Sequence, residues 1–182
     1  GYSKGGQEVG HQPVLPCSGY FARRFRGPDA QGEQVLDLCS IAFYEALLAK
    51  EGNQERALAL YEDWCFIKKK KMAKIIPVTM KIPGLYKKAP NIMRKMLDSM
   101  FGEKAGFQYC EKEIRNGFAV DMTVCPYVVT CNKYGCPEIV QFFCKSDDIT
   151  YGNMHPKLIW GRTKTLGMGG ECCDFNLYIK ED

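Results

Sequence analysis

The hydrophobic period of this chain changes near residue 107, and no other feature constrains its fold as strongly. Up to Phe101 the apolar residues recur at spacings of three and four, as one face of a helix requires; from Phe107 to Val124 they alternate, as strands require. Asn116-Gly117 lies between the runs Phe107 to Arg115 and Phe118 to Val124, and Asn-Gly supplies the positive-φ residues that a tight hairpin needs. A chain that is helical first and antiparallel afterwards must bury its helices against its sheet. The expectation is a single α+β domain, with N-terminal helices packed on an antiparallel sheet built from this hairpin and two later strands. At 182 residues such a domain buries roughly 70% of the surface of its unfolded chain, so it needs no disulfides to fold.

Residues 1–28, rich in Gly and Pro, read as an irregular N-terminal arm pinned by side chains such as Tyr20 and Phe25, and residues 29–182 as the domain. Asp29 can cap a helix reaching about Lys50, with Leu36, Cys39, Phe43 and Leu47 on its core side. Gly52-Asn53 ends it. A second helix from Gln54 places Ala57, Leu60, Tyr61, Trp64 and Ile67 inward and stops at Pro77. A third opens at Asn91, and its methionines, Met93, Met96 and Met100, read as core filler. Cys39 and Cys65 fall within these apolar stripes and read as packing residues.

The strand after the hairpin delivers the chain to Cys125-Pro126. Proline is favoured in the first turn of a helix, which puts Cys125 at the N-cap of a helix ending near Lys133, where unpaired amides favour a thiolate. Pro137 starts another helix, and on it Cys144 and Asp147 are separated by one turn and can face a common ligand. Strands follow at Leu158 to Trp160 and at Cys173 to Lys180. Alternation points Cys173 and Phe175 toward the core and Asp174 to the opposite side.

Six of the ten cysteines lie between Cys125 and Phe175, yet no CxxC pair occurs among them, so a structural zinc ribbon is a poor fit. Cysteines inside apolar helical patterns suit a reduced, cytoplasmic protein better than a disulfide framework. The first residues, Gly1 to Gly6, lack the charged-then-apolar pattern of a signal peptide, and the leading Gly in place of Met reads as a trimmed end. No apolar run approaches membrane-spanning length, and a net charge of +4 is too small to argue for nucleic acid. Lys68 to Lys71 reads as a solvated helix end. Neither a nucleic-acid nor a membrane partner is expected, and homo-oligomerisation is left open; the small-molecule substrate expected here comes from the family resemblance that follows.

Cys125-Pro126-Tyr127, the stretch Gly135 to Glu138, Phe143-Cys144-x-x-Asp147, Arg162-Thr163-x-Thr165 and Gly169-Gly170-x-Cys172-Cys173-Asp174-Phe175 occur in that order, concentrated in residues 118–182. This order resembles the bacterial family named for L-2-amino-thiazoline-4-carboxylic acid hydrolase. The resemblance implies hydrolytic opening of a small cyclic amidine to N-carbamoyl-cysteine, in cysteine metabolism, with no cofactor expected. For such chemistry Cys125 or Cys144 is the candidate nucleophile or water-positioning group and Asp147 the acid/base, with Asp174 the alternative carboxylate. Arg162 is the candidate partner of the substrate carboxylate, and Thr165, Gly169, Gly170 and Cys173 are candidate substrate contacts. A fainter likeness to vinyl-reductase-type ligand-sensing domains, through Glu138, Cys144 and Cys173, implies the alternative of a non-catalytic small-ligand or zinc-binding module.

Overall fold

The computed structural model describes residues 35–181, and side chains from Leu38 onward. The arm expected at 1–28 and the helix start expected at Asp29 lie outside the described residues. Within them the chain is α+β, with five α-helices and a four-stranded antiparallel sheet. Helices α1 (Val35–Glu51) and α2 (Gln54–Thr79) are joined by Gly52, whose φ of 59° is strained for a residue with a Cβ, and by Asn53. The Asn53 side chain accepts from the Arg56 amide at 2.9 Å, so the residue expected to end one helix also caps the next.

Pro77 and the start of the third helix differ from expectation. Pro77 does not stop α2, which continues to Thr79; in the last turn the lost amide costs a single hydrogen bond, and the Met80 amide still closes on the Ile76 carbonyl at 2.9 Å. Helix α3 (Leu85–Met100) begins six residues before Asn91 and contains Pro90. Ala89 and Pro90 are buried, and the packing of this turn near Met154, Leu158 and Leu177 overrides the local break signal.

The expected core faces of α1 and α2 hold in part: Ala57 and Tyr61 are buried, and Phe43 and Leu47 pack against the helical core, but other expected positions do not face inward. Ile41 and Tyr44 of α1 are fully buried while Cys39 is exposed; Tyr61 and Phe66 of α2 are buried while Leu60, Trp64 and Ile67 are exposed. Both helices carry apolar residues on more than one side, so a three-and-four pattern fits more than one stripe. Cys65 is half-buried against the helical core, as expected. Lys68 to Lys71 is not a helix end but the interior of α2.

The sheet has the order β1 (Gln108–Lys112), β2 (Gly117–Val124), β4 (Cys173–Ile179), β3 (Leu158–Trp160), with every pairing antiparallel. Asn116, at φ 56°, makes the hairpin turn. Pairing of Val120 with Phe175 and of Met122 with Cys173 puts these residues on one face, which α3 covers through Leu97. Asp121 pairs with Asp174 on the other face.

Cys125 ends β2 as the N-cap of α4 (Pro126–Lys133), matching expectation. A 3-10 turn at Pro137–Ile139 leads into α5 (Val140–Tyr151). Helix α5 packs on α2, with Ile139, Val140 and Phe142 in a helical core beside Tyr61 and Phe66. Buried Cys131 and Cys136 belong to the same core. Among the described residues no helix is long and apolar enough to cross a membrane. Ile139 has no exposed surface, so Ile139→Ala is expected to lower stability by about 2–5 kcal/mol in a urea titration, whereas exposed Val129→Ala should change it by no more than about 0.5 kcal/mol.

Candidate active site

A cavity of about 610 Å³ lies between α2, α3, α5 and the inward face of the sheet. Cys125, Cys144, Asp147, Arg162 and Cys173 all line it. Four different elements deliver them: the cap of α4 supplies Cys125, one turn of α5 supplies Cys144 and Asp147, the exit of β3 supplies Arg162, and the start of β4 supplies Cys173. Spacing in sequence gives no hint of this convergence except at Cys144 and Asp147.

Arg162 is enclosed, with 2% of its side-chain surface exposed. Its Nη1 donates to Asp147 Oδ2 at 3.4 Å, and its Nη2 donates to Asp148 Oδ2 and to the Cys144 carbonyl, each at 2.5 Å. The guanidinium also lies over the rings of Phe175, at 5.3 Å, and Trp160, at 5.7 Å. Trp160 reinforces the same joint by donating from Nε1 to Asp148 Oδ1 at 2.9 Å. A buried guanidinium is tolerated only where its charge and its donors are matched, and here α5 supplies both matches. The cation expected to reach for a substrate carboxylate already holds two carboxylates of the chain.

Asp147 retains 31% of its side-chain surface, and it is part of the cavity wall. Burial by the surrounding protein pushes its pKa up to about 6, against the lowering pull of Arg162 and Lys69 and with a push from Asp148. Such a carboxyl exchanges a proton close to neutrality, which suits an acid/base group.

The thiols carry donors without being thiolates. Burial pushes Cys125 up to about 12, outweighing the amides of Val128 and Tyr127 at the start of α4. The expected lowering by the helix N-terminus is therefore overturned: desolvation of the anion exceeds what the unpaired amides return. Burial also raises Cys173, to about 11, although the Leu166 amide donates to its sulfur at 3.2 Å. Cys144 is raised by burial too, with the Thr165 hydroxyl, Arg162 and the Gly167 amide acting in the opposite sense. Among the described residues the buried Thr165 hydroxyl has no other hydrogen-bond partner. A Cβ at Gly167 would come within 2.9 Å of the Cys144 sulfur and 2.5 Å of Val140, so only glycine lets this turn approach the thiol.

The other expected site residues lie off the cavity. Asp174, on the outer face of the sheet, accepts from the Thr163 amide at 2.9 Å, the Thr163 hydroxyl at 2.6 Å and the Lys164 amide at 2.7 Å. Burial alone would raise its pKa, but these hydrogen bonds outweigh it and hold the carboxylate below its ordinary value. Thr165 stands behind Cys144, and Gly169 and Gly170 close the 3-10 turn Leu166–Met168, with the Gly170 amide bonded to the Thr165 carbonyl at 2.9 Å. Glu138 accepts from Tyr44 at 2.7 Å and Gln54 at 2.9 Å, tying the start of α5 to α1 and α2. Among the described residues no group of three His, Cys, Asp or Glu side chains is placed to hold a metal ion.

The model of the L-2-amino-thiazoline-4-carboxylic acid hydrolase family matches residues 33–177. The chain belongs to that family. The match takes in α1, α2 and α3 as well as the motifs of the last third, so every residue of the cavity wall lies inside the hydrolase family region. Neither a curated protein nor a solved structure matches the chain.

Three parts of the wall escaped sequence reasoning. Lys68 and Lys69 looked like part of a solvated run, Met93 and Met96 like core filler, and Trp64 and Ile67 like core residues of α2; all six border the cavity. The available signal was a second apolar stripe on α2, continuous with a lysine pair.

Two measurements follow from these protonation states. An aspartate raised in the folded protein binds a proton that the unfolded chain has released, so its contribution to stability declines as pH rises from 3.8 to about 6. Asp147→Asn should remove that decline, seen as a flatter plot of urea stability against pH across the interval. Iodoacetamide at pH 7.5 should alkylate exposed Cys39 and Cys110 well before Cys125, Cys144 and Cys173, as peptide mass spectrometry would register.

Proposed function

We propose that the cavity is the active site of a hydrolase that opens a 2-amino-thiazoline-4-carboxylate-type cyclic amidine, with Asp147 as the acid/base. The observation that carries this reading is the placement of Asp147, with a pKa pushed up to about 6, beside Cys144 and a buried arginine on the wall of one cavity. Family membership supplies the substrate class.

The atom balance is simple. Water adds its oxygen to the amidine carbon between nitrogen and sulfur, and the bond from that carbon to sulfur breaks. One proton of the water ends on the ring nitrogen and the other on the released thiol, giving N-carbamoyl-cysteine. Because the product keeps nitrogen on the carbamoyl carbon, the cleavage is at C–S. As carboxylate, Asp147 accepts the proton of the attacking water, and as acid it returns a proton to the departing sulfur. Arg162 fixes the rotamer of Asp147 and keeps its charged form accessible, because part of the burial cost is offset by the guanidinium. The raised pKa of Cys144 favours positioning of water or substrate by the thiol, with Thr165 and Gly167 setting where the sulfur sits.

A non-catalytic ligand-binding module is the second reading, and the largely apolar wall formed by Leu97, Phe107, Phe118 and their neighbours favours it. Incubation with 2-amino-thiazoline-4-carboxylate, with carbamoyl product followed by mass spectrometry, separates the two. The expected result is turnover that falls about 10²- to 10⁴-fold in Asp147→Asn, and less in Cys125→Ala. Binding without turnover would move the assignment to the second reading.

A further inference from the structure

We infer that the cavity takes an amphipathic anion larger than the bare amino-thiazoline carboxylate, with its acid group at Lys69 and Lys68 and an apolar body in the chamber between α3 and the sheet. This rests on the hydrolase reading for the reacting ring and goes beyond it in substrate class.

The first argument is charge. Three cations line the cavity, Arg162, Lys68 and Lys69, and of these Arg162 is consumed by Asp147, Asp148 and the Cys144 carbonyl. Neither lysine has a carboxylate within ion-pair distance among the described residues. Lys69 is half-buried on α2 and close enough to Asp147 to act on its charge. An ammonium with no carboxylate at ion-pair distance on a cavity wall recruits an anion, and one near enough to Asp147 to act on its charge would hold a carboxylate while the acid/base faces the adjoining ring.

The second argument is size and chemistry. Even at the ~30 Å³ that one water occupies in the liquid, a ring of about nine non-hydrogen atoms fills less than half of the cavity. The remainder is bounded by Met93, Met96, Leu97, Phe101, Phe107 and Phe118, none of which offers a charge or a strong hydrogen bond. Water has few partners there, so an apolar substituent displaces it at a gain. Methionines at two of these positions adapt to irregular shapes.

The test compares three probes: 2-amino-thiazoline-4-carboxylate, its 5-phenyl derivative, and the methyl ester of that derivative. Binding is read by quenching of the two tryptophans, Trp64 and Trp160, both of which line the cavity, and by calorimetry; turnover is read separately. The phenyl acid should bind roughly 10- to 100-fold tighter than the parent, and the ester about tenfold weaker than the phenyl acid. Lys69→Gln should lower binding of the phenyl acid to the level of the ester while leaving ester binding unchanged. Equal binding of parent and phenyl acid overturns the apolar chamber, and unchanged acid binding in Lys69→Gln overturns the anion site. Binding in the expected order with no turnover of any probe supports the inference and counts against the hydrolase reading alone. Circular dichroism of Lys69→Gln confirms that the variant is folded.

Discussion

The enclosed guanidinium of Arg162 is the joint on which the two halves of this molecule depend. It arrives from the exit of β3, yet its partners are on α5: two aspartates and a main-chain carbonyl on one side, with two aromatic rings of the sheet beneath it. Removing it would leave Asp147 and Asp148 without their cation; leaving it without them would strand a charge out of water. Either loss is costly because desolvation has already been incurred on both sides. The joint fixes the distance between helix and sheet, and the cavity is the space that this distance leaves over.

The same geometry accounts for the character of the site. A carboxylate that pairs with a buried arginine ordinarily titrates low, but at Asp147 the burial of the carboxyl outweighs the pull of Arg162. The thiols around it follow the same rule and stay protonated although each has an amide donor nearby. One carboxyl that titrates near neutrality thus lies among thiols that stay protonated on the wall of a single cavity.

Much of this was legible in the chain. The change of period gave the α+β class, Asn116-Gly117 gave the hairpin, and Cys125-Pro126 gave the helix start to the residue, because local chemistry decides all three. The pairing of Cys144 with Asp147 on one helical turn was readable for the same reason. The core faces of α1 and α2 were readable only in part, Ala57 and Tyr61 inward but Leu60 and Trp64 not, since apolar residues on several sides leave rotation to tertiary packing. Pro77 misled because in the last turn of a helix a proline forfeits a single hydrogen bond, and Asn91 misled because the helix it was expected to open starts six residues earlier with buried packing at Ala89 and Pro90. Lys68 and Lys69 were hidden by their neighbours: in a run of four lysines, only the fold says which ones border the cavity.

The hold of Asp174 on Thr163 and Lys164 gives the outer face of the sheet a part in events on the inner one. The strap it ties down begins one residue after Arg162 and ends one residue before Thr165, so both neighbours inherit their depth from a carboxylate they never touch. Cutting that tether would leave every cavity-lining side chain in place by composition and still let the joint and the Cys144 support drift together. A carboxylate on the outer face of the sheet thus anchors the two-residue link between Arg162 and Thr165.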